Sequence, residues 1–124
     1  MAVFDTNLLI EYLRGNERVV RLFERYRKND EIRITIINAY EILKGSRSVE
    51  QPVLQRFLAR FPVLYLDDEA ASHSARIYQD LRREGKQAND TDVLISGICI
   101  SNKAKLVTMD KDFTRIRGID LILV

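Results

Sequence analysis

Cysteine and histidine are almost missing from this chain: 124 residues hold one of each, Cys99 and His73. A lone cysteine cannot close an internal disulfide, and Cys99 sits within an apolar run. Both points fit a reducing cytoplasm. One cysteine and one histidine also cannot assemble a standard zinc site. Long apolar runs are absent as well. Nothing approaches the ~20 residues of a membrane helix, so no membrane association is expected. The opening MAVFDTNLL has neither a basic segment nor a cleavage site, so no secretory leader is expected. Nor is there a surplus of one charge, since 20 Lys+Arg face 18 Asp+Glu. That excludes reading nucleic-acid binding from net charge, and any such case must rest on where the charges lie. Repeats, low-complexity stretches and linkers are also lacking. Hydrophobic residues at 46% argue against disorder. The length leaves room for one core, so residues 1–124 are expected to form a single domain.

What is present alternates between two periods. Ala2-Val3-Phe4 reads as a short strand that stops at Asp5. Leu9, Tyr12 and Leu13 then fall at helical spacing, with Gly15 placed to end that helix. Asn16 is a candidate cap for a helix over 17–28, where Val19, Leu22, Phe23 and Tyr26 form an apolar stripe. Residues 31–35 predict a second strand. A helix follows through Tyr40 and Leu43 to Gly45. Leu54, Phe57, Leu58 and Phe61 mark a further helix whose start Pro52 obscures. Residues 62–66 predict a third strand. A helix follows, capped by Asp67 or Asp68, with Ala71, Ser74, Ala75, Tyr78 and Leu81 on its small, apolar face. From Thr91 to Ser101 the chain is apolar almost all round, as suits a helix in the middle of a fold. Residues 105–108 predict a strand, 110–115 a helical turn and 119–124 a closing strand. Strands alternating with helices imply a mostly parallel central sheet covered on both faces, a three-layer α/β/α sandwich.

Asp5 and Asp110 follow predicted strands, and the downstream strand ends of open parallel sheets line the ligand crevice. Asp92 falls in the first turn of the apolar helix, where backbone N–H groups favour negative charge. Glu41 lies one to two turns into the helix after the second strand, with Ile37, Asn38 and Gly45 as helical neighbours. Taken singly, Asp5 and Asp110 read as helix caps, Asp92 as a dipole partner and Glu41 as a solvated glutamate. As a set they converge on one end of one sheet. Two carboxylates about 4 Å apart repel by roughly 4 kcal/mol at an effective dielectric near 20. Four gathered together would take up protons or unfold a marginal domain without a cation between them. Oxygen donors of this kind suit Mg²⁺ or Mn²⁺.

With these residues in place the chain resembles the PIN-domain family, and its short VapC-type toxins in particular, essentially end to end. The resemblance is carried by the strand into Asp5-Thr6-Asn7 and by Glu41-Ile42-Leu43-Lys44-Gly45. It continues through Asp92-Val93-Leu94-Ile95-Ser96-Gly97 and Leu106-Val107-Thr108-Met109-Asp110-Lys111-Asp112-Phe113, then Ile116 and Gly118. Met109 stands where a charged residue is common, and Ser96-Gly97 replaces the usual alanines. Asp90 reads as a cap, because Asp92 sets the right distance to Ile95.

The resemblance implies a single PIN domain and a metal-dependent endoribonuclease. Asp5, Glu41, Asp92 and Asp110 would be the catalytic, metal-binding acids. Asn7 and Thr108 would support them by hydrogen bonds, and Asp112 would be a more variable extra acid. One ion would activate a water for in-line attack, and a second, if bound, would stabilise the leaving 3′ oxygen. That chemistry yields 5′-phosphate and 3′-hydroxyl ends. The resemblance also implies a small VapB-like antitoxin whose tail covers the acidic groove, and a homodimer. Tyr12, Phe23 and Tyr26 are candidates for such contacts, although core packing would use the same residues.

RNA brought to an acidic pocket needs basic residues at the rim. The candidates are Arg14, the stripe of Arg18, Arg21, Arg25 and Lys28, then Lys44, Arg47, and the group around Arg82. Exposed basic stripes are also commonly just solvated faces. Other readings are a PIN-fold nuclease of RNA processing outside any toxin–antitoxin pair, and a PIN fold used only for protein binding. A phosphate-receiving signalling domain would need an acidic pair after the first strand, where this chain has Asp5-Thr6-Asn7. A Toprim-type domain would need a glutamate there.

Overall fold

The computed structural model describes residues 1–124. Five strands form one sheet: β1 (Ala2–Phe4), β2 (Ile32–Thr35), β3 (Val63–Leu64), β4 (Lys105–Thr108) and β5 (Asp120–Leu123). Six helices cover it: α1 (Thr6–Leu13), α2 (Glu17–Asn29), α3 (Ile36–Lys44), α4 (Gln51–Leu58), α5 (Asp68–Arg83) and α6 (Asp90–Ser101). Two short 3₁₀ turns, Ser48–Glu50 and Lys111–Arg115, complete the chain. Every strand pair is parallel, in the order β3-β2-β1-β4-β5.

This order decides where a ligand can bind. The chain moves outward from β1 through β2 to β3, then crosses to the other side of β1 for β4 and β5. The reversal falls between β1 and β4, and such a switch point opens a crevice at the carboxyl ends of the strands. Asp5 and Asp110 lie just past those two ends.

The two faces of the sheet bury separate cores, as the two-residue alternation of a strand requires. Ala2, Phe4 and Val107 face a cluster with Leu8, Leu9, Phe23 and Ile42. Val3 and Leu106 face the opposite cluster with Ala70, Ile95, Ile98 and Cys99. Tyr12, Phe23 and Tyr26 belong to the first core. Tyr12 lies 4.2 Å from Phe23 and Tyr26 lies 5.3 Å from Phe4, ring centre to ring centre. Phe23 is buried there, while Tyr12 and Tyr26 pack against the core half-buried.

Three expectations need correcting. Asn89, not Asp90, caps α6: its side chain accepts from the N–H of Thr91, and Asp90 is the first helical residue. The buried face of α5 is Ala70, Ser74, Ile77 and Leu81, while Ala71 and Ala75 are exposed. Phe61 lies beyond the end of α4, and Pro52 stands in its first turn, where a missing N–H costs nothing.

Candidate active site

Asp5 is buried, and both of its oxygens are engaged. Oδ1 accepts from the Thr6 N–H at 2.8 Å, capping α1, and Oδ2 accepts from the Thr108 hydroxyl at 2.8 Å. Thr108 in turn accepts from the Asp110 N–H at 3.0 Å, and Asp110 Oδ1 accepts from the Asp112 N–H at 2.9 Å. One threonine, 103 positions from Asp5, therefore ties the acid after β1 to the backbone of the acid after β4.

Glu41 is fixed by a second relay. Thr6 donates its hydroxyl to Glu41 Oε1 at 2.7 Å, and Asn38 donates its side-chain N–H to Thr6 Oγ1 at 2.9 Å. Asn38 is itself locked, since its Oδ1 accepts from both the backbone N–H and the hydroxyl of Thr35, each at 2.8 Å. Sequence reasoning missed Thr6 and Asn38. Their role depends on the approach of α1 to α3, although Thr35-x-x-Asn38 is legible as a capping pair. Asn7, expected to support the acids, is exposed and lines the cleft without a hydrogen bond to any of them. Thr6 does that work.

Glu41, Asp92, Asp110 and Asp112 line a polar cleft of about 280 Å³ together with Asn7, Gln87, Asn89, Thr91 and Arg115. Leu81, Val93 and Ile116 are its apolar residues. Asp5 does not line the cleft but lies near enough for the charges of Glu41 and Asp110 to act on it. Its carboxyl is raised above the usual range, first by burial and then by those neighbours, against the pull of its two hydrogen bonds. Asp92 is pushed up to about 7, by burial first and then by Asp5, Asp110, Glu41 and Asp112. Its place near the start of α6 opposes that shift. A helix dipole contributes only about 0.3–1 kcal/mol, less than one pKa unit, so burial and like charge win.

As they stand, no three acids are gathered closely enough to grip an ion. The donor set nonetheless fits a hard divalent cation. All its donors are carboxylate oxygens, and two of them, Asp5 and Asp92, are raised by burial first and by the like charge of their neighbours second. Cys99 does not compete, for burial raises its thiol to about 12 and it lies in the core. His73 is on α5, 3.9 Å from Glu69, and does not line the cleft.

The basic residues proposed for RNA lie elsewhere, and none lines the cleft. Arg14 pairs with Glu11 at 3.0 Å and Arg21 with Glu17 at 3.9 Å. Lys44 sits over the Tyr40 ring, and Arg82 over the Tyr78 ring. Arg18 and Arg25 border a small pocket between Leu8, Leu22 and Val124. The basic residue that does reach the acids is Arg115, which sequence reasoning did not single out.

The PIN domain family model matches residues 2–119. This chain belongs to the PIN-domain family. Among relatives of this PIN domain is the tRNA(fMet)-specific endonuclease VapC of Shigella flexneri, 28% identical over 94% of this chain and 92% of that protein. Ribonuclease VapC1 of Methanocaldococcus jannaschii is 29% identical over 94% of this chain and 82% of its own. In structure, the PIN domain is similar to a chain of VapBC2 from Rickettsia felis, solved bound to a DNA fragment from its promoter. The TM-score is 0.89 and the identity 25%, with 99% of this chain and 98% of that one covered. No helix of the PIN domain is long and apolar enough to cross a membrane.

Proposed function

We propose that this PIN domain, spanning residues 1–124, is a cytoplasmic endoribonuclease dependent on Mg²⁺ or Mn²⁺ and the toxin of a VapBC-type toxin–antitoxin pair. The observation that carries the reading is the convergence of carboxylates on the β1–β4 switch point, where burial first and like charge second raise Asp92 to about 7. Asp5, Glu41, Asp92 and Asp110 would hold the cation. When bound, it supplies positive charge at the cleft and lowers the pKa of water.

The chain's own residues contribute orientation. Thr108 keeps Asp5 and Asp110 at a fixed separation, and Thr6 with Asn38 keeps Glu41 turned toward the same cleft. These bonds orient the Asp5 and Glu41 carboxylates and fix the Asp110 backbone before any ligand arrives. With no histidine at the cleft to promote attack by the 2′ hydroxyl, water is the nucleophile and the products carry 5′-phosphate and 3′-hydroxyl ends.

The partner reading rests on the VapBC complexes among structural relatives. A VapB-like antitoxin is the expected binding partner, and a homodimer the expected assembly. Leu13, Tyr40, Val49 and Val53 are exposed apolar side chains on neighbouring elements, where such a partner has surface to cover.

The test is to incubate the purified protein with end-labelled RNA in Mg²⁺, in Mn²⁺ and in chelator, beside Asp5→Asn. Metal-dependent cleavage that Asp5→Asn abolishes is expected. Cyclic phosphate products, or equal cleavage in chelator, would overturn the reading.

A further inference from the structure

Arg115 is the one basic residue among those lining the acidic cleft. Four carboxylates line the same space, and an RNA phosphate entering it meets net negative charge unless a cation receives it. The backbone carrying Arg115 is firmly seated. Its 3₁₀ turn is anchored by Phe113, and Ile116 next along is also buried. The side chain is only loosely occupied. Nη2 donates to Asp112 Oδ1 at 2.7 Å and Nη1 to the Gln87 carbonyl at a long 3.4 Å, while the rest of the fork meets no acceptor in the chain. A guanidinium with spare donors in a rigid plane is suited to a phosphate.

Asp112 has two roles open to it, as a member of the metal-holding set or as the holder of Arg115. Its geometry favours the second. One oxygen is already taken by the guanidinium, and its side chain is 62% exposed, the least covered of the acids at the cleft. This pair occupies only Nη2, so the remaining donors of the fork can take a phosphate while Asp112 keeps the guanidinium in place.

We propose that Arg115 takes hold of an RNA phosphate at the cleft, and that Asp112 positions this guanidinium and lies outside the metal-holding set. The substrate in this statement rests on the ribonuclease reading above.

The experiment compares wild type, Arg115→Gln, Arg115→Lys and Asp112→Asn on a single-stranded RNA. It measures KM and kcat in Mg²⁺, RNA affinity by fluorescence anisotropy in Ca²⁺, and Mn²⁺ affinity by calorimetry. Arg115→Gln is expected to raise KM at least tenfold, by more than it lowers kcat. It should also flatten the salt dependence of RNA affinity by about 0.7 in log–log slope, one phosphate contact on a single strand. Arg115→Lys should restore the slope without restoring the whole of KM. Should the glutamine variant fail to fold, the lysine variant carries the test through that split. Asp112→Asn should raise KM severalfold and leave Mn²⁺ affinity within twofold of wild type. An unchanged KM and salt slope in a folded Arg115→Gln protein would overturn the role of Arg115. A tenfold loss of Mn²⁺ affinity in Asp112→Asn would return Asp112 to the metal set. If wild type cuts no RNA at all, the ribonuclease reading fails. The two binding titrations then still decide both residues.

Discussion

Glu41 reaches the cleft from the second turn of α3, where a glutamate without a partner samples many rotamers. Thr6 removes that freedom with one hydrogen bond, and fully buried Asn38 aims the threonine. Thr6→Val keeps the shape and deletes the relay. It is expected to lower Mn²⁺ affinity or kcat/KM by about 10–100-fold, the usual cost of losing such a support. Wild-type values in Thr6→Val would show that Glu41 needs no positioning.

Asp92 gives the second prediction at this scale. Its native value is about 7 against an ordinary 3.8. The folded protein therefore binds more protons than the unfolded chain between those limits, and stability contributed by this group falls as pH rises through them. In chelator, Asp92→Asn should gain in melting temperature relative to wild type as pH climbs from about 4 to about 7. Saturating Mn²⁺ should remove the wild-type deficit. A gap that does not change with pH would mean that neither burial nor its neighbours hold the Asp92 carboxyl up.

At the scale of elements, α5 and α6 pack closely because of one glycine. A Cβ on Gly97 would lie 1.9 Å from Ser74 Oγ and 2.7 Å from the Ala70 carbonyl oxygen, so something must move. Gly97→Ala is expected to destabilise the fold by about 1–3 kcal/mol in urea unfolding, despite the higher helix propensity of alanine. Its neighbour supplies a contrast. The Ser96 hydroxyl is buried without a hydrogen-bond partner, so Ser96→Ala should be neutral or stabilise by about 1 kcal/mol. Destabilisation by Ser96→Ala together with tolerance of Gly97→Ala would contradict this packing.

The same pair of helices shows what could be read in advance. α6 was legible as a buried helix because almost every side is apolar. The inward face of α5 was not, because its alanines and serines fit either of two adjacent faces. Only the approach to Gly97 selects Ala70 and Ser74. The strands stopping at Asp5 and Asp110 were plain from the alternation of elements, and the switch-point rule then pointed both acids at one crevice. What escaped were contacts that exist only after folding. Thr6 meets Glu41 across 35 positions, and Arg115 meets Gln87 across 28. The basic stripe of α2 shows the opposite case. It is visible in sequence, yet Arg21 pairs with Glu17 of its own helix and the stripe does not line the acids.

Across the whole molecule, the parallel sheet places its own chain reversal where the carboxylates converge, and the proposed function assigns a cation to that place. The most direct measurement is the anomalous diffraction of a crystal soaked in Mn²⁺. The account predicts a peak among Asp5, Glu41, Asp92 and Asp110, with their oxygens drawn in around it and Asp112 still paired with Arg115. A map with no peak there, and the four carboxylates still apart, would contradict it.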